Sequence, residues 1–234
     1  DEDEAFEPDV PRIGEMVVSE FLWEKGYSSV DYIVATHADA DHAQGLADVV
    51  RNFDVSTIYF GAMPSGPSEI DELFAAAKRN NIEPKRIGRG DIFEIGGAKL
   101  EVVWPVKGDT NTTSDNNSSI VMRIVYGEHV FLLTGDIEHE AEAALVTGGT
   151  VLNADVVKVP HHGSRTSSTT AFVDAVKSKT AVISVGRRSM FGHPHGEVVE
   201  RWRNAGADVM RTGERGTISF TSDGKRIEVG TFMK

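Results

Sequence analysis

The 234-residue chain contains no cysteine. Disulfides and thiolate metal ligands are therefore excluded, any metal falls to His, Asp or Asn, and the redox compartment stays unread. No apolar run approaches the ~20 residues of a membrane helix. The start, Asp1-Glu2-Asp3-Glu4, is acidic, lacks an initiator methionine and carries no secretory signal pattern, so an excised or processed chain is expected. Positive charge is scarce as well, with 24 Lys and Arg against 36 Asp and Glu for a net charge of −12. On its face that balance opposes a nucleic-acid partner, because phosphate backbones reward cations. What remains is 40% hydrophobic residues and a mean hydropathy of −0.23, ordinary for a globular chain. The length supports one α/β domain over residues 1–234, with 1–10 as an acidic, flexible start.

The charge is unevenly spread. Residues 1–20 hold eight acids and one base, and 21–150 hold twenty acids and ten bases. Residues 151–234 reverse the sign, with thirteen bases and eight acids. Lys158, Arg165, Arg187 and Arg188 of that basic third stand near His161, His162 and His193 in sequence, so a locally positive mouth is one reading and scattered solvated cations the other.

The densest chemistry is Thr36-His37-Ala38-Asp39-Ala40-Asp41-His42, directly after the apolar run Tyr32–Ala35. In an extended segment His37, Asp39 and Asp41 project to one side, and His42 joins them from the first turn of the following element. Two carboxylates held so close repel, and a divalent cation turns that cost into attraction.

A coarse pass predicts alternating helices and strands. Helices are expected at 12–25, 42–52, 68–80, 137–146, 169–177 and 196–205. Strands are expected at 30–35, 56–60, 154–159, 180–185, 207–211, 216–221 and 225–232. A hairpin over 91–104 should turn at Gly96-Gly97, and another should join 119–126 to 129–133 through Gly127-Glu128. Each polar motif then lies at a strand end, where α/β scaffolds gather functional groups.

The first motif resembles the HxHxDH signature of the metallo-β-lactamase superfamily, with Asp39 in place of the second histidine. Leu132-Leu133-Thr134-Gly135-Asp136, Val157-Lys158-Val159-Pro160-His161-His162-Gly163-Ser164, Phe191-Gly192-His193-Pro194-His195 and Asn116-Asn117-Ser118-Ser119 extend the likeness. In this order they resemble the metallo-β-lactamase-like domain of the ComEC competence proteins, which move transforming DNA across the bacterial membrane. The likeness covers roughly residues 28–222. It implies an αββα sandwich with two divalent ions, Zn²⁺ or Mn²⁺, between the sheets. His37, Asp39, Asp41, His42, Asp136 and one of the adjacent histidines, taken as His161, would be ligands, with Asp136 the carboxylate shared by two ions. Asp136 capping the next helix is the plainer alternative.

His193 or His195 stands where the superfamily has its last histidine ligand. Asn116 and Asn117 stand where many members carry another histidine, a plain turn being the alternative. Members also begin with two or three strands, including a Val-Gly-Gln-Gly-Asp type segment, that this chain lacks. The first sheet is therefore expected without its first strands, leaving an edge that something must cover, with the chain either truncated or completed by another segment.

The resemblance implies a dinuclear hydrolase. Asp41, His162, His193 and His195 form the catalytic set, the histidines as acids for the leaving group. Asn116, Asn117, Lys158, Ser164, Arg165 and Arg187 form the substrate-facing set. A carboxylate-rich ligand set makes Mn²⁺ more competitive with Zn²⁺. The leading expectation is a phosphodiesterase acting on single-stranded DNA during transformation, on the extracytoplasmic face of the membrane and beside the channel portion of a ComEC parent. A hydrolase of a small ester, thioester or amide and a noncatalytic DNA- or partner-binding domain are the alternatives.

Overall fold

The computed structural model describes residues 12–61, 70–108 and 114–233. The acidic start at 1–10 and the first residues of the helix expected at 68–80 lie outside them. The chain divides into two compact units, Asp1–Tyr59 with Pro64–Lys85, and Phe60–Met63 with Arg86–Lys234.

The first unit enters through π-helical turns at Gly14–Ser19 that continue into helix α1, Glu20–Glu24. Strand β1, Ser29–Ala35, follows, then helices α2, Ala40–Ala43, and α3, Leu46–Asn52. Strand β2, Asp54–Phe60, helix α4, Ile70–Arg79, and the short strand β3, Lys85–Arg86, complete it. The sheet order is β1-β2-β3. Among the described residues no strand precedes β1, where members of the family that the chain resembles begin with two or three. Burial explains the elements. Ile33 and Ala35 of β1 are buried two residues apart, and Ile70, Leu73, Ala76 and Ala77 of α4 form a buried stripe at helical spacing.

The boundary beside the first motif differs from expectation. The helix expected over 42–52 begins at Ala40 and is divided between α2 and α3. Asp41 therefore stands in a helical turn with His42, and the extended segment ends at Asp39, whose φ and ψ are −66° and 146°. The short apolar alanines permit the turn to close early, and Asp39 O accepts from both His42 N and Ala43 N.

The second unit opens with an antiparallel meander: β4, Ile92–Ile95; β5, Ala98–Trp104; β6, Val121–Tyr126; and β7, His129–Leu133. Both expected hairpins are present. Gly96 and Gly97 carry positive φ of 57° and 82°, which an L side chain rarely adopts. Three successive crossovers then add parallel strands through α5, His139–Thr147, to β8, Val156–Lys158; through α6, Thr170–Val176, to β9, Thr180–Ile183; and through α7, Gly196–Asn204, to β10, Asp208–Arg211. Helix α8, Thr212–Arg215, leads to a separate hairpin of β11, Ile218–Ser222, and β12, Ile227–Thr231. The large sheet runs β10-β9-β8-β7-β6-β5-β4. Leu132, Val157, Ala181 and Ile183 from its centre join Leu145, Phe172, Val176 and Trp202 of α5, α6 and α7 in one core.

Register decides what that core supports. Leu132 pairs with Val157, Val157 with Ala181, and Lys158 with Val182. The carboxyl ends of β7, β8 and β9 are therefore level. Asp136, His161-His162 and the 184–195 segment all leave from the same edge of the sheet, where α/β proteins bind ligands.

Candidate functional site

In the first unit, the turn after β1 carries four donors. His37 is fully buried, and its Nδ1 lies 3.0 Å from Thr36 Oγ1. Its Nε2 is 3.7 Å from Asp39 Oδ2, and its ring centroid is 4.2 Å from that of His42. His42 Nε2 in turn lies 3.9 Å from Asp41 Oδ2. Asp41 is the outermost member, with its side chain 63% exposed. A turn that gathers two imidazoles and two carboxylates within salt-bridge range has the donor chemistry of a divalent-metal ligand set.

In the second unit, Asp136 is the buried centre of a polar cluster. Its backbone N–H donates to Ser119 Oγ at 2.9 Å. Lys158 Nζ donates to Asp136 Oδ1 at 3.0 Å and to Gly135 O at 2.8 Å. His162 Nε2 lies 3.1 Å from Asp136 Oδ2, while its Nδ1 is 2.6 Å from Ser184 O. A carbonyl only accepts, so Nδ1 donates its proton to Ser184 O, and Nε2 faces the carboxylate oxygen at a distance that either a second ring proton or a cation bridges. That pair calls for a positive charge between its members. A ring held by a backbone carbonyl through its other nitrogen is also the usual support of a metal-binding histidine. The residues present thus fit a divalent ion.

Asp136 caps no helix. Helix α5 begins at His139 with Glu138 at its cap position, which answers the alternative reading of this aspartate.

The adjacent histidines do not sit on extended backbone. His161 and His162 have φ of 45° and 52°, a left-handed pair inside a tight 3-10 turn at Pro160–Gly163. Such residues cost about 1–3 kcal/mol each and persist where surroundings enforce them. The turn sends the two rings to different carboxylates: His162 to Asp136, and His161 Nδ1 to Glu138 Oε1 at 3.3 Å. His193 packs against His161 with centroids 5.6 Å apart and against His195 at 5.3 Å. Burial, and then the neighbouring His161, His195 and His162, hold the His193 pKa below the ordinary histidine range. Neutral at physiological pH, its ring can accept a proton or a metal ion.

The candidate substrate-facing residues fall into three groups. Lys158 adjoins Asp136, and Arg165 Nη2 is 3.3 Å from His195 Nδ1, so both belong to this edge. Asn117 and Ser164 are committed to holding loops. Asn117 Oδ1 accepts from Glu138 N at 2.9 Å, its Nδ2 donates to Glu140 Oε2 at 2.9 Å, and Trp104 Nε1 donates to its carbonyl at 2.7 Å. Asn116 is half-buried beside it in the same turn. Ser164 is buried, with Oγ 3.0 Å from Thr166 Oγ1. Arg187 lies further along, at Gly213 O and Met233 Sδ.

Two carboxylates escape sequence reading. Glu138 receives Thr166 Oγ1 at 2.7 Å as well as His161, and only its place two residues after Asp136 hinted at a role. Glu142 is fully buried and accepts from Ser168 N and from Thr169 N at 2.7 Å, fixing the loop that follows the histidine pair. Burial pushes its carboxyl above the ordinary range, against the pull of the Thr169 and Ser168 amides and Arg201.

The model of the metallo-beta-lactamase superfamily matches residues 6–187, and the chain belongs to that family of metal-dependent hydrolases, whose members bind divalent metals, usually two. Its relatives are ComEC-type. It is 31% identical over 94% of its length to ComE operon protein 3 of Bacillus subtilis and 31% identical over 83% to competence protein ComA of Neisseria gonorrhoeae. It spans only 28% and 26% of those proteins. Among solved structures, the metallo-beta-lactamase fold protein YhfI from Bacillus subtilis superposes with a TM-score of 0.52 at 11% identity, over 92% of this chain and 83% of that one, a likeness of fold.

Proposed function

We propose that the protein is a dinuclear metal-dependent phosphodiesterase that degrades single-stranded DNA in a DNA-uptake setting, as one domain of a larger membrane protein. The observation that carries the metal-centred reading is His162, pinned at Nδ1 by Ser184 O with Nε2 turned to Asp136. The DNA substrate rests on the ComEC-type relatives. The ligand groups for two divalent ions, Zn²⁺ or Mn²⁺, would be His37, Asp39, Asp41 and His42 in the first unit and, in the second, Asp136 with one of the adjacent histidines. When bound, the ions supply a hydroxide nucleophile near neutral pH and neutralise developing charge.

The chain's own residues do the rest. Asp136 is oriented by Lys158 Nζ, which donates to its Oδ1, and by Ser119 Oγ, which accepts from its backbone N–H. Attack at phosphorus breaks the P–O bond to the leaving sugar oxygen, which needs a proton. His195, beside the neutral His193, is the group to deliver it. Arg165, beside His195, steadies the phosphate. A hydrolase of small esters is the second reading, favoured by the net charge of −12.

The deciding experiment strips the protein with chelator, restores Mn²⁺ or Zn²⁺, and measures cleavage of single-stranded DNA, bis-nitrophenyl phosphate and a panel of carboxylic esters. Metal-dependent DNA cleavage is expected. Turnover of esters alone would install the second reading, and binding of DNA without any cleavage would leave a noncatalytic domain.

A further inference from the structure

A row of rings leads from the histidine cluster of the second unit to the surface. His161 and His193 are 5.6 Å apart between centroids, and Phe191 follows His193 at 6.0 Å with 31° between planes. Phe191 is 77% exposed and its neighbour Met190 is 94% exposed. The tip that carries them is an ordered turn. Gly192 N donates to Ser189 O at 3.3 Å and His193 N to Ser189 Oγ at 3.2 Å, with Gly192 at a positive φ of 72°. Arg187 and Arg188 come just before it, both exposed. The contacts of Arg187 with Gly213 O and Met233 Sδ are to uncharged atoms and leave its charge for a ligand. At the base of the tip lies an open groove of about 420 Å³ lined by Ser184, Gly186, Arg187, Gly213 and Gly216 among others. Ser184 is also the residue whose carbonyl holds His162, so the groove adjoins the metal-ligand edge.

An exposed aromatic ring flanked by guanidinium groups and joined to a phosphate-cleaving edge is the arrangement that takes an unpaired base: the ring supplies a stacking face and the arginines follow the backbone. A lipid surface would also accept Phe191 and Met190. It would have no use for a ring tilted against His193 at the end of the histidine row.

We propose that Phe191, edged by Met190, is a stacking platform for one base of single-stranded nucleic acid, with Arg187 and Arg188 on the adjoining phosphates. The loop thereby discriminates single strands from duplex, whose bases already stack on each other and offer no free face. The proposal rests on the phosphodiesterase reading for its place in catalysis, while the binding it asserts is separately measurable.

The test compares the Mn²⁺-loaded wild type with Phe191→Ala and Phe191→Trp. The ligand is a phosphorothioate single strand carrying one 2-aminopurine, with the same strand in duplex as reference. Phe191→Ala should weaken single-strand binding on the order of tenfold, remove the quenching of 2-aminopurine, and shift duplex binding much less. Phe191→Trp should retain both binding and quenching. In turnover, the ratio of single-strand cleavage to bis-nitrophenyl phosphate hydrolysis should fall in Phe191→Ala by the same factor. Unchanged single-strand affinity, equal losses on single strand and duplex, or loss confined to binding of anionic phospholipid vesicles would each overturn the platform. Failure of the wild type to hydrolyse either phosphodiester under any metal would sink the phosphodiesterase reading and leave the quenching result to decide the platform by itself.

Discussion

Asp41 and Glu142 show how two carboxylates of one chain differ in consequence. Asp41 is the exposed tip of its turn, so Asp41→Asn should remove hydrolysis while shifting stability by no more than about 0.5 kcal/mol. Turnover at low metal together with a thermal midpoint checks both halves, and retained activity would contradict the ligand role. Glu142 is the opposite case, since its buried carboxylate is the acceptor for two loop amides. Glu142→Ala strands both N–H groups and should cost about 1–3 kcal/mol in a denaturant titration. An unchanged midpoint would mean that water replaces the carboxylate. Nothing in the residue pattern marked Glu142, because an acid in a helix next to alanines reads as a solvated face.

At the scale of elements, the level ends of β7, β8 and β9 concentrate the chemistry, and small features keep them level. Gly135 has a φ of 55°, and a Cβ there would meet Ser119 Cβ at 2.5 Å. Gly135→Ala should therefore push Asp136 off Ser119 Oγ, lowering stability by about 2 kcal/mol and weakening metal binding. Calorimetric metal titration of the folded fraction would show it, and native affinity would refute it. Asp155, just before β8, accepts from Val130 N at 2.9 Å and Lys179 Nζ at 2.8 Å. Burial raises its pKa, but Lys179 and the Val130 amide together outweigh that, and the net direction is down. A folded-state pKa below the unfolded one means that its contribution is complete above about pH 4 and is lost as pH falls through the lower folded value. Asp155→Asn should then flatten the acid limb of the stability curve, and an unchanged limb would show that the ion pair contributes nothing. Strands, helices and both hairpins were legible from hydrophobic period and Gly-Gly or Gly-Glu turns. The early start of α2 was not, because alanines beside Asp41 fit either an extended segment or a helical turn.

For the whole molecule, charge is the property that separates the readings. The net charge is −12, yet the segment after residue 150 is basic, so a DNA ligand must meet a minority surface. Binding of single-stranded DNA should weaken steeply with salt, and replacing Arg187 and Arg188 together by alanine should lower the salt slope. The same variant should reduce cleavage of DNA more than that of bis-nitrophenyl phosphate. Salt-independent affinity would favour a small substrate, and equal losses on both would assign these arginines to the fold.

The sequence by itself determined which groups are available and roughly where they stand: His37 to His42 behind an apolar strand, Asp136 behind another, and paired histidines behind a third. Those follow from local period and spacing, which adjacent residues encode. Only the tertiary structure decided what the groups do to each other. It put His161 and His162 in left-handed backbone so that one faces Glu138 and the other Asp136. It also made a main-chain carbonyl, that of Ser184, the partner that sets the His162 proton, and a carbonyl carries no residue-type signature. Asn117, polar and beside a motif, became a loop clamp because folding brought Glu138 and Glu140 within hydrogen-bond reach, whereas the Ser164–Thr166 contact is local. The long-range contacts depend on strand register, antiparallel between β6 and β7 and parallel from β7 to β9, which no local pattern in the chain records.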